Sequence, residues 1–226
     1  MRIARPALPN FSLPAAVLIA FAASLLPAQS QTAPERDAIV SQLSQFDTGP
    51  ELDLAALKQR VLDKSRTRAR NEPEPAKRPP IVPEILNLPT FTVDIQFDTD
   101  APVVRPDSYQ AVGRIADALV NAQLLPYTFL IVGHSDSTGK REANAILSQR
   151  RADSVRDVLV NTFKISSKRV QSLGLGEEQF VDQAHPTSPA NLQIQILTIG
   201  KVAEIEPSQT PATQPPAAAK KGGKKK

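Results

Sequence analysis

Five residues could do chemistry together: Ser135, Asp136, Asn144, Ser148 and Arg151. All lie in "IVGHSDSTGKREANAILSQRRADSV" (Ile131 to Val155), where an apolar run stops at Gly133 and polar side chains follow at once. A strand end that delivers polar groups into a loop is a common place for a site. Three chemistries compete. In the first, Gly133-His134-Ser135 opens a G-x-S-x-G elbow with Ser135 as nucleophile, but the fifth position is Ser137, and the glycine that permits the tight crossing is missing. The downstream base would be His185 with Asp182 beside it. In the second, the stretch is a polar turn and a helix start, with Gly139 as cap, Glu142 three residues on and His134 satisfied by a backbone bond. The third takes loop and helix together. Asn144, Ser148 and Arg151 fall at i, i+4 and i+7 on one helical face, and the Arg151 guanidinium leans back toward the end that carries Asp136. A carboxylate beside an amide and a rigid fork of donors suits a ligand with an ammonium and a carboxylate on one carbon.

The elements around these residues are legible from periodicity. "FTVDIQFD" (Phe91 to Asp98) alternates as a half-buried strand, and Arg105 to Ala122 carries Val112, Ile115, Ala116 and Leu119 on one helical face. A strand over Thr128 to Val132 then leads into a helix from about Lys140 to Phe163 with the core stripe Ala145, Ala152, Val155 and Leu159. "RVQSL" (Arg169 to Leu173) and "NLQIQILTI" (Asn191 to Ile199) complete a βαβαββ order. Polar alternation in the outer strands predicts an α+β, two-layer sandwich, with the helices on one face of a mixed sheet and the other face wet.

The flanks differ in composition. Of 226 residues, 21 are proline, concentrated outside residues 89–201. Residues 1–30 read as an export signal, with Arg2 and Arg5 ahead of "AAVLIAFAASLL" and Ala28-Gln29-Ser30 as the cleavage region. In residues 31–70, Ile39, Leu43 and Phe46 form one short helical run and Leu54, Leu57 and Val61 another. These read as marginal helices on a solvated arm, with partner docking as the alternative. Residues 71–88 are a proline-rich linker, expected to stay extended. Residues 202–226 are a low-complexity tail with five lysines, expected to be disordered and to adhere to anionic surfaces.

Composition excludes several classes. The chain has no cysteine and only His134 and His185, so it offers no disulfide, thiolate zinc site, lipid-attachment cysteine or histidine cluster, and no cofactor is expected. Arg2, Arg5 and the five tail lysines account for the positive charge, since removing these seven from the formal +4 leaves −3. That excludes a nucleic-acid-binding face.

"GHSDSTG", Asn144, "LSQRRA" (Leu147 to Ala152), "GLGEE" (Gly174 to Glu178) and "ANLQIQI" (Ala190 to Ile196) resemble the OmpA C-terminal family, shared with Pal and MotB. The resemblance covers about Pro89 to Gly200 and includes an Asp-to-Arg spacing of 15. It implies a non-enzymatic domain in the periplasm, associated with the outer membrane, that binds peptidoglycan non-covalently through the diaminopimelate of the stem peptide. The family's acidic residue, asparagine and helix arginine fall on Asp136, Asn144 and Arg151. Where the family's last strand usually opens Asn-Arg-Arg, this chain reads Asn191-Leu192-Gln193, which leaves Arg150 and Arg141 as candidates for the missing cation. A same-fold structural or protein-docking domain without ligand binding is the alternative.

Overall fold

A computed structural model describes residues 32–67 and 72–202. The expected export signal and lysine tail fall outside them. Two helices come first, α1 (Thr32–Leu43) and α2 (Leu54–Arg66). Asp53 caps α2, its Oδ1 accepting the Ala56 N–H at 3.0 Å. Then follow β1 (Thr90–Val93), α3 (Tyr109–Leu119), β2 (Tyr127–His134), α4 (Arg141–Asp157), β3 (Val170–Gly176) and β4 (Ile194–Lys201). The strands form one mixed sheet in the order β1-β4-β2-β3, with β2 and β3 parallel and the other pairs antiparallel. The α+β class and the βαβαββ order are as expected. β1 is shorter than its alternation suggested: Phe97 instead bridges to Val104, closing a small loop.

The sheet is covered on both faces. Phe129 and Ile131 of β2 join one apolar cluster, with Val112, Ile115 and Leu119 of α3, Ala152 and Val155 of α4, and Ile39 and Leu43 of α1. The alternate residues Leu130 and Val132 join a second cluster with Leu173, Leu175 and Leu197. That cluster is sealed by Phe46, by Leu57 and Val61 of α2, and by Val82, Ile85 and Leu88. Three expectations are corrected here. The face expected to be wet is buried, because these apolar side chains lie over it. The run Ile39, Leu43, Phe46, Leu57 and Val61 belongs to no solvated arm; all five residues are buried. The proline-rich stretch is not extended over 72–88, since short 3-10 turns at Pro75–Lys77 and Pro83–Ile85 fold it against the sheet. Val82 is 0% exposed. Prolines fix φ at values these turns accept, and the apolar residues between them supply the burial.

Close approach of α4 to the sheet depends on two glycines. A Cβ on Gly133 of β2 would sit 2.3 Å from the Ser148 carbonyl oxygen, and one on Gly174 of β3 would sit 2.1 Å from the Gln149 nitrogen. Only a residue without a side chain permits this contact. It fixes the depth at which α4 lies, and hence which of its residues reach the rim.

Candidate functional site

A cleft of about 790 Å³ opens where the β2–α4 loop, the first turns of α4 and the 97–104 loop meet. Ser135, Asp136, Asn144 and Arg151 all line it, so four of the five residues singled out in the sequence converge. Ser148 does not. It is 1% exposed, its hydroxyl donating to the Ala145 carbonyl at 3.0 Å and accepting the Gly176 N–H at 2.8 Å. It shares the helical stripe of Asn144 and Arg151 but points beneath it, into the α4–β3 contact.

Asp136 stands at the mouth, with Oδ1 accepting from the Thr138 N–H at 3.0 Å and its hydroxyl at 2.6 Å. This turn fixes the carboxylate. Asn144 is engaged within the protein: its side-chain N–H groups reach the carbonyls of Asp136 (3.2 Å) and Thr138 (2.8 Å) and the Glu177 carboxylate (2.9 Å). It thereby ties the loop to α4. Ser135 is 4% exposed and its hydroxyl finds no partner in the protein. A buried, unpaired hydroxyl is costly, and this one lies against the cleft.

Arg151 is half-buried. Its Nε donates to the Ala101 carbonyl at 3.2 Å and its guanidinium stacks over the Phe97 ring at 5.0 Å. Burial pulls its pKa down, opposed by the nearby carboxylates of Asp100 and Asp136. Among the described residues neither Asp136 nor Arg151 closes an ion pair, so both keep polar atoms for other partners. The 97–104 loop that grips Arg151 was not singled out in the sequence. Its Phe97 is the last apolar residue of the alternating run, and Asp100 takes a positive φ of 52° at the cleft wall.

Cations near the cleft divide into engaged and free. Arg141 pairs with Glu178 on one side and with Glu72 at 2.7 Å on the other, and these ties hold its pKa above the usual guanidinium value. Arg78 joins Glu177 at 3.3 Å, which makes "GLGEE" the anchor of a buried ion network. Arg141 is therefore spoken for. Arg150 and Lys140 line the cleft instead, together with Leu192, 38% exposed at the position where the sequence resemblance implies an arginine.

The hydrolase arrangement is not assembled. His134 is 3% exposed and burial lowers its pKa, so the ring is neutral. Its Nδ1–H donates to the Gln179 carbonyl at 2.8 Å. Nε2 lies 2.9 Å from Oε1 of Gln195, whose side-chain N–H donates to the Thr92 hydroxyl at 3.3 Å. His185 is exposed and bonded to Asp182 at 2.9 Å, and neither imidazole touches Ser135.

Residues 96–192 match the OmpA family model. This segment is an OmpA-family domain. Over 97 residues the chain is 35% identical to outer membrane porin F of Pseudomonas aeruginosa, covering 43% of this chain and 27% of that protein. Over 93 residues it is 37% identical to the peptidoglycan-associated lipoprotein of Mesorhizobium japonicum, covering 39% and 54%. The solved cell wall anchor of the T6SS from Pseudomonas aeruginosa is 27% identical, with a TM-score of 0.40, covering 49% of this chain and 79% of that one. The chain thus spans between about a quarter and about half the length of these two curated relatives. The cleft lies within the OmpA-family domain, whereas α1, α2 and the proline-rich turns lie outside it.

Proposed function

We propose that the cleft binds peptidoglycan non-covalently by gripping the zwitterionic centre of a stem-peptide diaminopimelate. The observation that carries this reading is the convergence of Asp136 and Arg151 on one cleft, each with polar atoms free, beside the buried unpaired hydroxyl of Ser135. Asp136 takes the ammonium, Arg151 the carboxylate, and Ser135 supplies a neutral bond. Asn144 holds the loop in place. The relatives named as an outer membrane porin and a peptidoglycan-associated lipoprotein support a place in the periplasm, against the outer membrane. The tail lysines add salt-sensitive adhesion to anionic envelope surfaces, and deleting Lys220 to Lys226 should leave affinity for a soluble muropeptide unchanged.

Calorimetric titration of the full chain tests the assignment. A charge-assisted bond contributes about 1.5–3 kcal/mol, so Asp136→Ala or Arg151→Ala should weaken a diaminopimelate muropeptide roughly ten- to over a hundred-fold. Because both residues clamp one centre, the double mutant should lose less than the sum of the singles. The lysine-containing muropeptide lacks the side-chain carboxylate and should bind weakly. Equal affinity for the two ligands overturns the reading. Leu192 favours one second reading, a docking domain of this fold without wall binding; failure to co-sediment with purified sacculi would support it.

A further inference from the structure

A second groove adjoins the cleft, between α2 and α4. Val61 and Leu62 of α2 face Ala145 and Ile146 of α4 across about 220 Å³, with Lys58 and Arg150 among the walls. Ile146 and Arg150 also line the cleft, so the two hollows share a wall. α2 lies outside residues 96–192, and this groove is therefore a contribution of the N-terminal layer. Its chemistry is specific: an apolar floor with a cation from each helix. Lys58 makes no ion pair among the described residues. Such a groove suits a short, largely apolar residue that carries a free carboxylate. A peptide held by a zwitterionic side chain in the cleft must lead its neighbouring residues out along some wall, and this wall carries two cations, Lys58 and Arg150, that close no ion pair among the described residues.

We infer that the α2–α4 groove is a second subsite for the same stem peptide, receiving the residue next to the diamino centre and pairing its free carboxylate with Lys58 and Arg150. This rests on the peptidoglycan reading above, and the test separates the two. The full chain is titrated with free diaminopimelate, with a diaminopimelate muropeptide whose neighbouring carboxylates are free, and with the same muropeptide amidated at those carboxylates. The native chain should bind the free-carboxylate muropeptide roughly three- to tenfold tighter than the amidated one, the range expected of partly exposed ion pairs. Lys58→Glu should erase that difference while leaving affinity for free diaminopimelate unchanged. Lys58→Gln should give a smaller loss in the same direction, and Lys58→Arg should keep the preference. Circular dichroism confirms that each variant is folded. Insensitivity to amidation in the native chain, or an equal loss for all three ligands in Lys58→Glu, overturns the subsite. Binding that depends on Asp136 but ignores Lys58 overturns the groove alone, whereas binding that ignores Asp136 overturns the primary reading as well.

Discussion

Asn144 and Ser148 share one helical stripe with Arg151, yet they do different work, and depth explains why. Periodicity assigns a side chain to a face but does not say how far the neighbouring strand intrudes beneath it. The approach of β3 to α4 swallows Ser148, while Arg151, farther along, reaches the rim. Asp136 and Arg151 were legible because a carboxylate in a strand-end loop and an arginine fifteen residues on are tied by simple helix geometry. Phe97 and Asp100 were not, since no local pattern brings the 97–104 loop to α4. Two substitutions separate the roles. Ser148→Ala removes the acceptor of a buried Gly176 N–H and should cost about 1–3 kcal/mol of stability in denaturant unfolding. Asn144→Ala should weaken muropeptide binding less than Asp136→Ala does, but should lower the melting temperature, because it unties the loop and leaves buried Glu177 short of a donor. If Asn144→Ala weakens binding with no thermal change, the residue is a direct ligand contact and not a tie.

At the scale of elements, the N-terminal layer is the main departure from expectation. The stripes in α1 and α2 were visible, but an amphipathic stripe does not name what it covers. A signal for the missing layer was nevertheless present in β2. The run Phe129, Leu130, Ile131 and Val132 is apolar without alternation, as in a strand buried on both faces, and a wet face could not accommodate Leu130 and Val132. The proline count hid the layer, because composition suggested an extended spacer while Val82, Ile85 and Leu88 between the prolines are buried. Removing residues 32–88 should therefore strip a core layer and not merely a tether. The remainder, starting at Pro89, should unfold at clearly lower urea concentration than the chain that keeps the layer, and should bind a hydrophobic dye. Equal urea midpoints would mean that the layer only rests on the domain. Gly174→Ala acts at the opposite side of the same packing problem: its Cβ meets α4 backbone that has no room to yield, so a loss of several kcal/mol is expected in the same assay.

For the whole molecule, the N-terminal layer and the OmpA-family domain are joined by apolar contact and by a buried ion network with a defined acid limit. Glu72 is held by Arg141, and hydrogen bonds from that guanidinium lower its carboxyl pKa from the usual 4.5 to about 2, with Lys64 adding to the effect and burial opposing it. A depressed carboxylate stabilises the fold fully above the unfolded value, and the contribution disappears as pH falls from about 4.5 toward 2. That loss is local, because Glu72 precedes the proline-rich turns while Arg141 begins α4. Acidification should therefore loosen the layer before the sheet. Hydrogen exchange should accelerate in α2 and residues 72–88 as pH falls through this window, after correction for intrinsic rates, with β2 and β4 still protected. Glu72→Gln removes the charge at every pH, so it should show the faster exchange already at pH 7 and lose most of the acid dependence. Arg141 keeps Glu178 in that variant, so α4 should remain anchored and muropeptide affinity in the cleft should persist. If Glu72→Gln opens with the same acid profile as the native chain, Glu72 does not set the limit.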